Sequence, residues 1–286
     1  HVREGKIYAR GATDDKGQLM VHLMAVKQIM NQTKNNPPVN FKFIIEGEEE
    51  IGSPSVEDLA QKHSPLLRAN YLVVSDTEMP RPGLPALHIS LRGLVYLEVK
   101  IETAKQDAHS GQFGGVIPNP AIILSQLITQ LKNQGGHILI PHFYDSVLAP
   151  TSEELVDFQK LEPTPEEIIQ ESSAFTTGGG ENEFGFNHRR WARPTLDING
   201  LWSGYTGEGS KTIIPAQASA KISMRLVPNQ IPEKIEDMFE SYLTSLCPPG
   251  IKLTITRHTS ALPYKAPTDH PVFSQAKSAL KKAWGQ

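Results

Sequence analysis

Val39-Asn40-Phe41-Lys42-Phe43-Ile44-Ile45 runs directly into Glu46-Gly47-Glu48-Glu49-Glu50-Ile51-Gly52-Ser53. In the first part Val39, Phe41, Phe43 and Ile45 recur at every second position, the period of a strand with one buried face. The second part sets carboxylates at 46, 48, 49 and 50 around a glycine. Crowded like charges raise one another's pKa until a cation relieves them. No lysine or arginine lies between Lys42 and Lys62 to do so, and a bound metal is the sharper reading. A solvated acidic turn is the alternative, since charge runs usually need no partner.

The flanking sequence favours the metal. Upstream, Lys6 to Ala9 reads as a short strand, followed by the polar turn Arg10-Gly11-Ala12-Thr13-Asp14-Asp15-Lys16-Gly17. Leu19, Met20, Leu23, Met24, Val26, Ile29 and Met30 then recur at helical spacing, with Asp14 or Asp15 placed to cap the helix. Downstream, Val56 to His63 reads as a helix, and Tyr71 to Thr77 as a buried parallel strand ending at Asp76. Successive strand ends thus deliver Asp14 or Asp15, Glu48 to Glu50, and Asp76. Carboxylates gathered at one sheet edge suit a hard or borderline cation.

Prolines 80, 82 and 85 with Gly83 mark a boundary. Beyond it, Leu87 to Leu91 and Val95 to Ile101 alternate as half-solvated antiparallel strands. Pro120 to Leu131, Thr151 to Gln159, Pro165 to Ser172 and Ile231 to Leu246 read as helices. Thr195 to Asn199, Ala218 to Val227 and Ile251 to Arg257 read as strands. After Pro263 and Pro267, Val272 to Trp284 is a basic amphipathic helix. The expected fold is α/β: a mainly parallel sheet flanked by helices, interrupted by an α+β domain. The expected boundaries are 1–86 for the N-terminal part of the first domain, 87–263 for the insert and 264–286 for the return to the first domain.

Composition narrows the function. The 286 residues are 38% hydrophobic and 21% charged, with net charge −3. That balance offers no case for binding nucleic acid or an anionic membrane. A lone cysteine, Cys247, excludes an internal disulfide. No signal peptide and no spanning apolar run is evident, which leads to the expectation of a cytoplasmic protein. The chain opens without methionine and stops just after a helix, and it is expected to be a segment of a longer one.

Taken together, Arg10 to Gly17, Glu46 to Ser53, Ser75-Asp76, Asp107-Ala108-His109-Ser110-Gly111, Gly207 to Pro215 and Met224-Arg225-Leu226-Val227-Pro228-Asn229 resemble the dinuclear zinc metallopeptidases. That family includes carnosinase-type dipeptidases, aminoacylase, succinyl-diaminopimelate desuccinylase and glutamate carboxypeptidase, and the carnosinase-type branch is the best match. The resemblance implies a homodimer, joined through the inserted domain, that hydrolyses small peptides or N-acyl amino acids. It implies two divalent ions, zinc first, with manganese or cobalt as alternatives. Asp14 matches the bridging ligand, Glu50 and Asp76 the terminal ligands, and Glu49 the general base acting on metal-activated water. His109 matches the residue that reaches a partner subunit's site to stabilise the oxyanion. Arg225 matches the clamp on the substrate carboxylate, and Thr212 a substrate-contacting hydroxyl.

One departure is expected to matter. The family's upstream His-x-Asp and C-terminal ligand histidine have no counterpart here, since neither His1 nor His270 has the right setting. That leaves all-oxygen ligands, which zinc disfavours. Two rival readings follow. One is a metal-poor fragment that dimerises without hydrolysis; the other is a carboxylate-only Mg²⁺ or Ca²⁺ binder.

Overall fold

In the computed structural model, which describes residues 1–77 and 79–285, the chain divides into two compact units, 1–86 and 87–286. In the first unit, β1 (Val2–Arg3) and β2 (Lys6–Ile7) form a tight antiparallel hairpin. Glu4 and Gly5 turn it with positive φ. Helix α1 (Lys16–Gln32) begins after Asp15, which makes no side-chain capping hydrogen bond. A 3-10 turn at Glu49–Ile51 closes on Gly52 at φ 85°, followed by α2 (Val56–Lys62) and α3 (Ser64–Leu67).

Two expected strands are not formed. Val39 to Ile45 and Tyr71 to Thr77 make no ladder, and Leu72 and Val73 are 81% and 71% exposed. Every ladder among the described residues is antiparallel, so no parallel pair is found among the described residues of the first unit. Parallel strands are held by neighbours on their edges and helices on their faces. Alternation reveals which side chains call for cover; it does not supply the backbone that pairs with them.

The second unit follows the sequence pattern closely. Its strands are β3 (Ser90–Leu91), β4 (Gly93–Glu102), β5 (Ala108–His109), β6 (Thr195–Ser203), β7 (Ile213–Ile214), β8 (Gln217–Leu226), β9 (Lys252–Ala261) and β10 (Tyr264–Lys265). Its helices are α4 (Ser110–Phe113), α5 (Pro120–Thr129), α6 (Ser152–Lys160), α7 (Pro165–Ser172), α8 (Phe186–Ala192), α9 (Pro232–Leu246) and α10 (Pro271–Trp284). Four strands form one antiparallel sheet in the order β6-β8-β4-β9. Val95, Leu97, Val99 and Ile101 of β4 face inward with Ala218, Ala220, Ile222, Met224 and Leu226 of β8. Over that face lie Ile123, Leu124 and Leu127 of α5 and Ile235, Phe239 and Leu243 of α9. Each large side chain so buried contributes roughly 1.5–3 kcal/mol.

Polar groups within this unit are matched. Buried Gln230 accepts from Val227 N–H at 3.0 Å and donates to Phe143 C=O at 2.9 Å. Thr151 with Glu154, and Thr164 with Glu167, form reciprocal capping boxes at α6 and α7. Lys265 pairs with Glu154 at 2.6 Å and Lys277 of α10 with Glu153 at 3.3 Å. No helix among the described residues is long and apolar enough to cross a membrane.

Candidate active site

The first unit carries a group of carboxylates. Gln18 and His22 lie one turn apart on α1. Gln18 Nε2 donates to Thr13 C=O and, at 3.5 Å, to Thr77 C=O, while His22 Nε2 lies 2.6 Å from Ser75 Oγ. These bonds tie the segment ending at Asp76 to the turn holding Asp14. Within the acidic turn, Glu46 accepts from Ser53 Oγ at 2.9 Å and Glu48 from Ser55 N–H at 3.2 Å. Those two carboxylates therefore serve their own loop.

Asp14, Glu49, Glu50 and Asp76 are different. Among the described residues none of their carboxylates accepts a hydrogen bond or pairs with a cation. They act on one another instead. Loss of water, then the charges of Asp76, Glu50, Asp14 and Glu46, push the Glu49 carboxyl above its ordinary range. Loss of water, then Asp14 and Asp15, do the same to Asp76. Unpaired carboxylates in mutual repulsion are a donor set that fits a divalent cation. The structure thus sets the residues expected as metal ligands and general base within range of one another's charges, but no three of them bring their oxygens within 4.8 Å of one another as one ion's ligands would.

The second unit carries a short ladder around His109. β5 and β7 pair with Ala108 opposite Ile214 and His109 opposite Ile213. Ser110 N–H donates to Thr212 C=O at 2.9 Å, and Ala216 N–H to Asp107 Oδ1 at 2.9 Å. This short ladder places two expected site residues together, His109 Nε2 lying 3.5 Å from Thr212 Oγ1. The other ring nitrogen, Nδ1, accepts Gly111 N–H at 3.0 Å. Its lone pair is therefore occupied, and the neutral ring carries its proton on the exposed Nε2. His109 is arranged as a hydrogen-bond donor.

Gly111 keeps the ring there. A Cβ at this position would lie 2.9 Å from His109 Cε1 and 3.1 Å from Nδ1. Gly111→Ala is expected to displace the imidazole and lower the kcat of the active protein roughly tenfold or more, with its melting temperature nearly unchanged. Steady-state kinetics and a thermal melt check this. Unchanged kcat would show that the ring need not hold its position.

Arg225 projects from β8 between inward-facing Met224 and Leu226, exposed and opposite Leu94 and Thr195. A further His/Glu/Glu trio, His137, Glu181 and Glu183, is close enough for one ion. Its groups also lie within contact distance of one another. His137 Nδ1 meets Glu181 at 3.0 Å and Nε2 meets Glu183 at 2.6 Å. Arg193 forks both oxygens of Glu181 at 2.5 and 2.6 Å while sitting between the rings of Tyr144 and Phe184. This trio is the one group among the described residues whose ligand atoms all lie within 4.8 Å of one another.

Comparison with known proteins places the chain in a family. Residues 89–251 match the M20 peptidase dimerisation domain. Over 99% of its length the chain is 32% identical to the human Beta-Ala-His dipeptidase, covering 56% of that protein. It is 31% identical to the Cys-Gly metallodipeptidase dug1 of Schizosaccharomyces pombe, again over 99% of the chain and covering 60% of that enzyme. The chain thus spans a little over half the length of these relatives. Among solved structures, the M20 family metallo-carboxypeptidase Sso-CP2 of Sulfolobus solfataricus superposes with a TM-score of 0.86 at 33% identity, over 100% of this chain and 64% of that one. Human carnosine dipeptidase 1 gives 0.78 at 31% identity, over 100% and 61%. At the level of architecture the fold class is that of these neighbours, α/β with an inserted dimerisation domain.

Proposed function

From the premise that the chain belongs to the M20 peptidase family, in its carnosinase-type branch, we propose that the protein carrying it is a two-metal hydrolase cleaving the amide bond of dipeptides or N-acyl amino acids. The observation that carries this reading is the group of unpaired, mutually repelling carboxylates at Asp14, Glu49, Glu50 and Asp76. Asp14, Glu50 and Asp76 would hold the ions, zinc first. When bound, such ions polarise the scissile carbonyl and acidify water. Glu49 takes the proton of the attacking water and returns it to the leaving amine. His109 donates its Nε2–H to the developing oxyanion. Thr212 flanks that imidazole and touches the substrate. Arg225 holds the free carboxylate in its planar fork.

The Arg225 assignment is tested with paired substrates. Arg225→Ala is expected to weaken kcat/KM for free-acid dipeptides by about 2–3 kcal/mol and to spare their C-terminal amides. Equal losses on both would remove Arg225 from the carboxylate site.

The partner is a second copy of the chain, joined through the insert. β6 is an outer strand of its sheet, and Leu201 and Trp202 on it are 57% and 44% exposed, as is Ile122 of α5 at 58%. An uncovered strand edge with apolar side chains invites pairing. These features also support the second reading, a dimer without hydrolysis. A sedimenting dimer with no turnover under added Zn²⁺ or Mn²⁺ would favour it; dipeptide turnover would exclude it. Residues 264–286 are placed in the catalytic domain by this proposal.

A further inference from the structure

Two guanidinium groups on the outer face of the second unit's sheet stand apart from the unit's other arginines. Arg189 donates to Gly179 C=O, Arg190 to Glu171, Arg193 to Glu181, and Arg257 to Glu236, Asp237 and Glu240. Among the described residues Arg92 and Arg225 hold no acceptor.

Their positions follow from the register. Leu94 is paired with Arg225, and Gly93 with Leu226. Arg92 lies in the single-residue break between β3 and β4, immediately before Gly93, and is exposed. Arg92 and Arg225 are therefore diagonal cross-strand neighbours, within reach of each other's long side chains. Although Arg92 is exposed as a residue, water is thinned around its guanidinium. That loss, then the like charges of Arg225 and Arg190, push its pKa below that of free arginine, and only Asp197 pulls the other way. Arg190 is engaged by Glu171 at 3.3 Å. Two adjacent cations with only the Asp197 carboxylate near enough to offset them are a costly arrangement that a bound anion relieves.

We propose that Arg92 is a specificity-determining residue that forms, with Arg225, a two-guanidinium cradle for a substrate end bearing two carboxylates: a dipeptide whose C-terminal residue is Asp or Glu. This rests on the reading that Arg225 holds the α-carboxylate. Arg92 then takes the side-chain carboxylate, and a neutral amide in that place leaves one guanidinium unpaired.

The test is calorimetric titration of the whole polypeptide with N-acetyl-glutamate and N-acetyl-glutamine, which differ by one charge. The dianion should bind about tenfold more tightly. Arg92→Gln should abolish that preference, and Arg92→Lys should keep part of it. Equal affinities in the unsubstituted protein, or a preference surviving Arg92→Gln, would overturn the cradle. The kcat/KM ratio for Ala-Glu over Ala-Gln gives a second reading, and it should fall toward one in Arg92→Gln. A binding preference without hydrolysis of any dipeptide would keep the cradle and remove the hydrolase reading. Hydrolysis without any preference would do the opposite.

Discussion

Replacing Glu49 by Gln is expected to lower kcat of the metal-loaded protein by about 10³-fold, within the usual range for losing a general base. The substitution keeps the shape of the side chain and removes its ability to take a proton. Glu49 sits at the start of the 3-10 turn beside Glu50, and the charges of Asp76 and Asp14 reach it. Those neighbours would hold the ions, so metal content should be unchanged in the variant, and KM should change little. Glu50→Gln should behave differently, losing metal together with activity. If Glu49→Gln turned over at near the unsubstituted rate, the proton would be handled elsewhere. If it lost its metal, Glu49 would be a ligand.

Replacing His109 by Ala is expected to cost roughly 10²–10³-fold in kcat, the scale of one lost oxyanion donor. The ring is held from both sides, by Gly111 N–H at Nδ1 and by Thr212 Oγ1 at Nε2. It is therefore preorganised to donate, and its loss should appear in kcat more than in KM. If the imidazole serves a partner subunit's site, mixing Glu49→Gln with His109→Ala protein should restore about a quarter of normal activity, because each mixed dimer contains one site with neither defect. No restoration on mixing would place His109 in its own subunit's site.

The second unit was legible because its signals are local. β4 and β8 alternate over ten residues each, and α9 carries Pro232 at its first turn. The Thr-x-x-Glu boxes of α6 and α7 name their own starts. What escaped the sequence reading depends on distant partners. β5 and β7 are two residues each and pair across more than a hundred positions, too short for any period to show. α8 has its first amide groups capped by Glu162 from another element. Within the candidate site, acid type and order along the chain pointed to Asp14 or Asp15, Glu48 to Glu50 and Asp76, and the family resemblance narrowed these to Asp14, Glu49, Glu50 and Asp76. Gln18 and His22, which tie Asp76 toward Asp14, were passed over; their one signal was polar spacing of four within an apolar helix. Val39 to Ile45 shows the opposite failure. Its alternation is clear, yet a strand also needs a neighbouring backbone.

The carboxylates of the first unit are proposed to hold two catalytic ions. Elemental analysis of the polypeptide carrying this chain, purified without chelator, tests this most directly. About two divalent transition-metal ions per chain are predicted, lost together on Asp14→Ala substitution. A folded protein that carries none, and takes up none from excess zinc or manganese, would contradict the account.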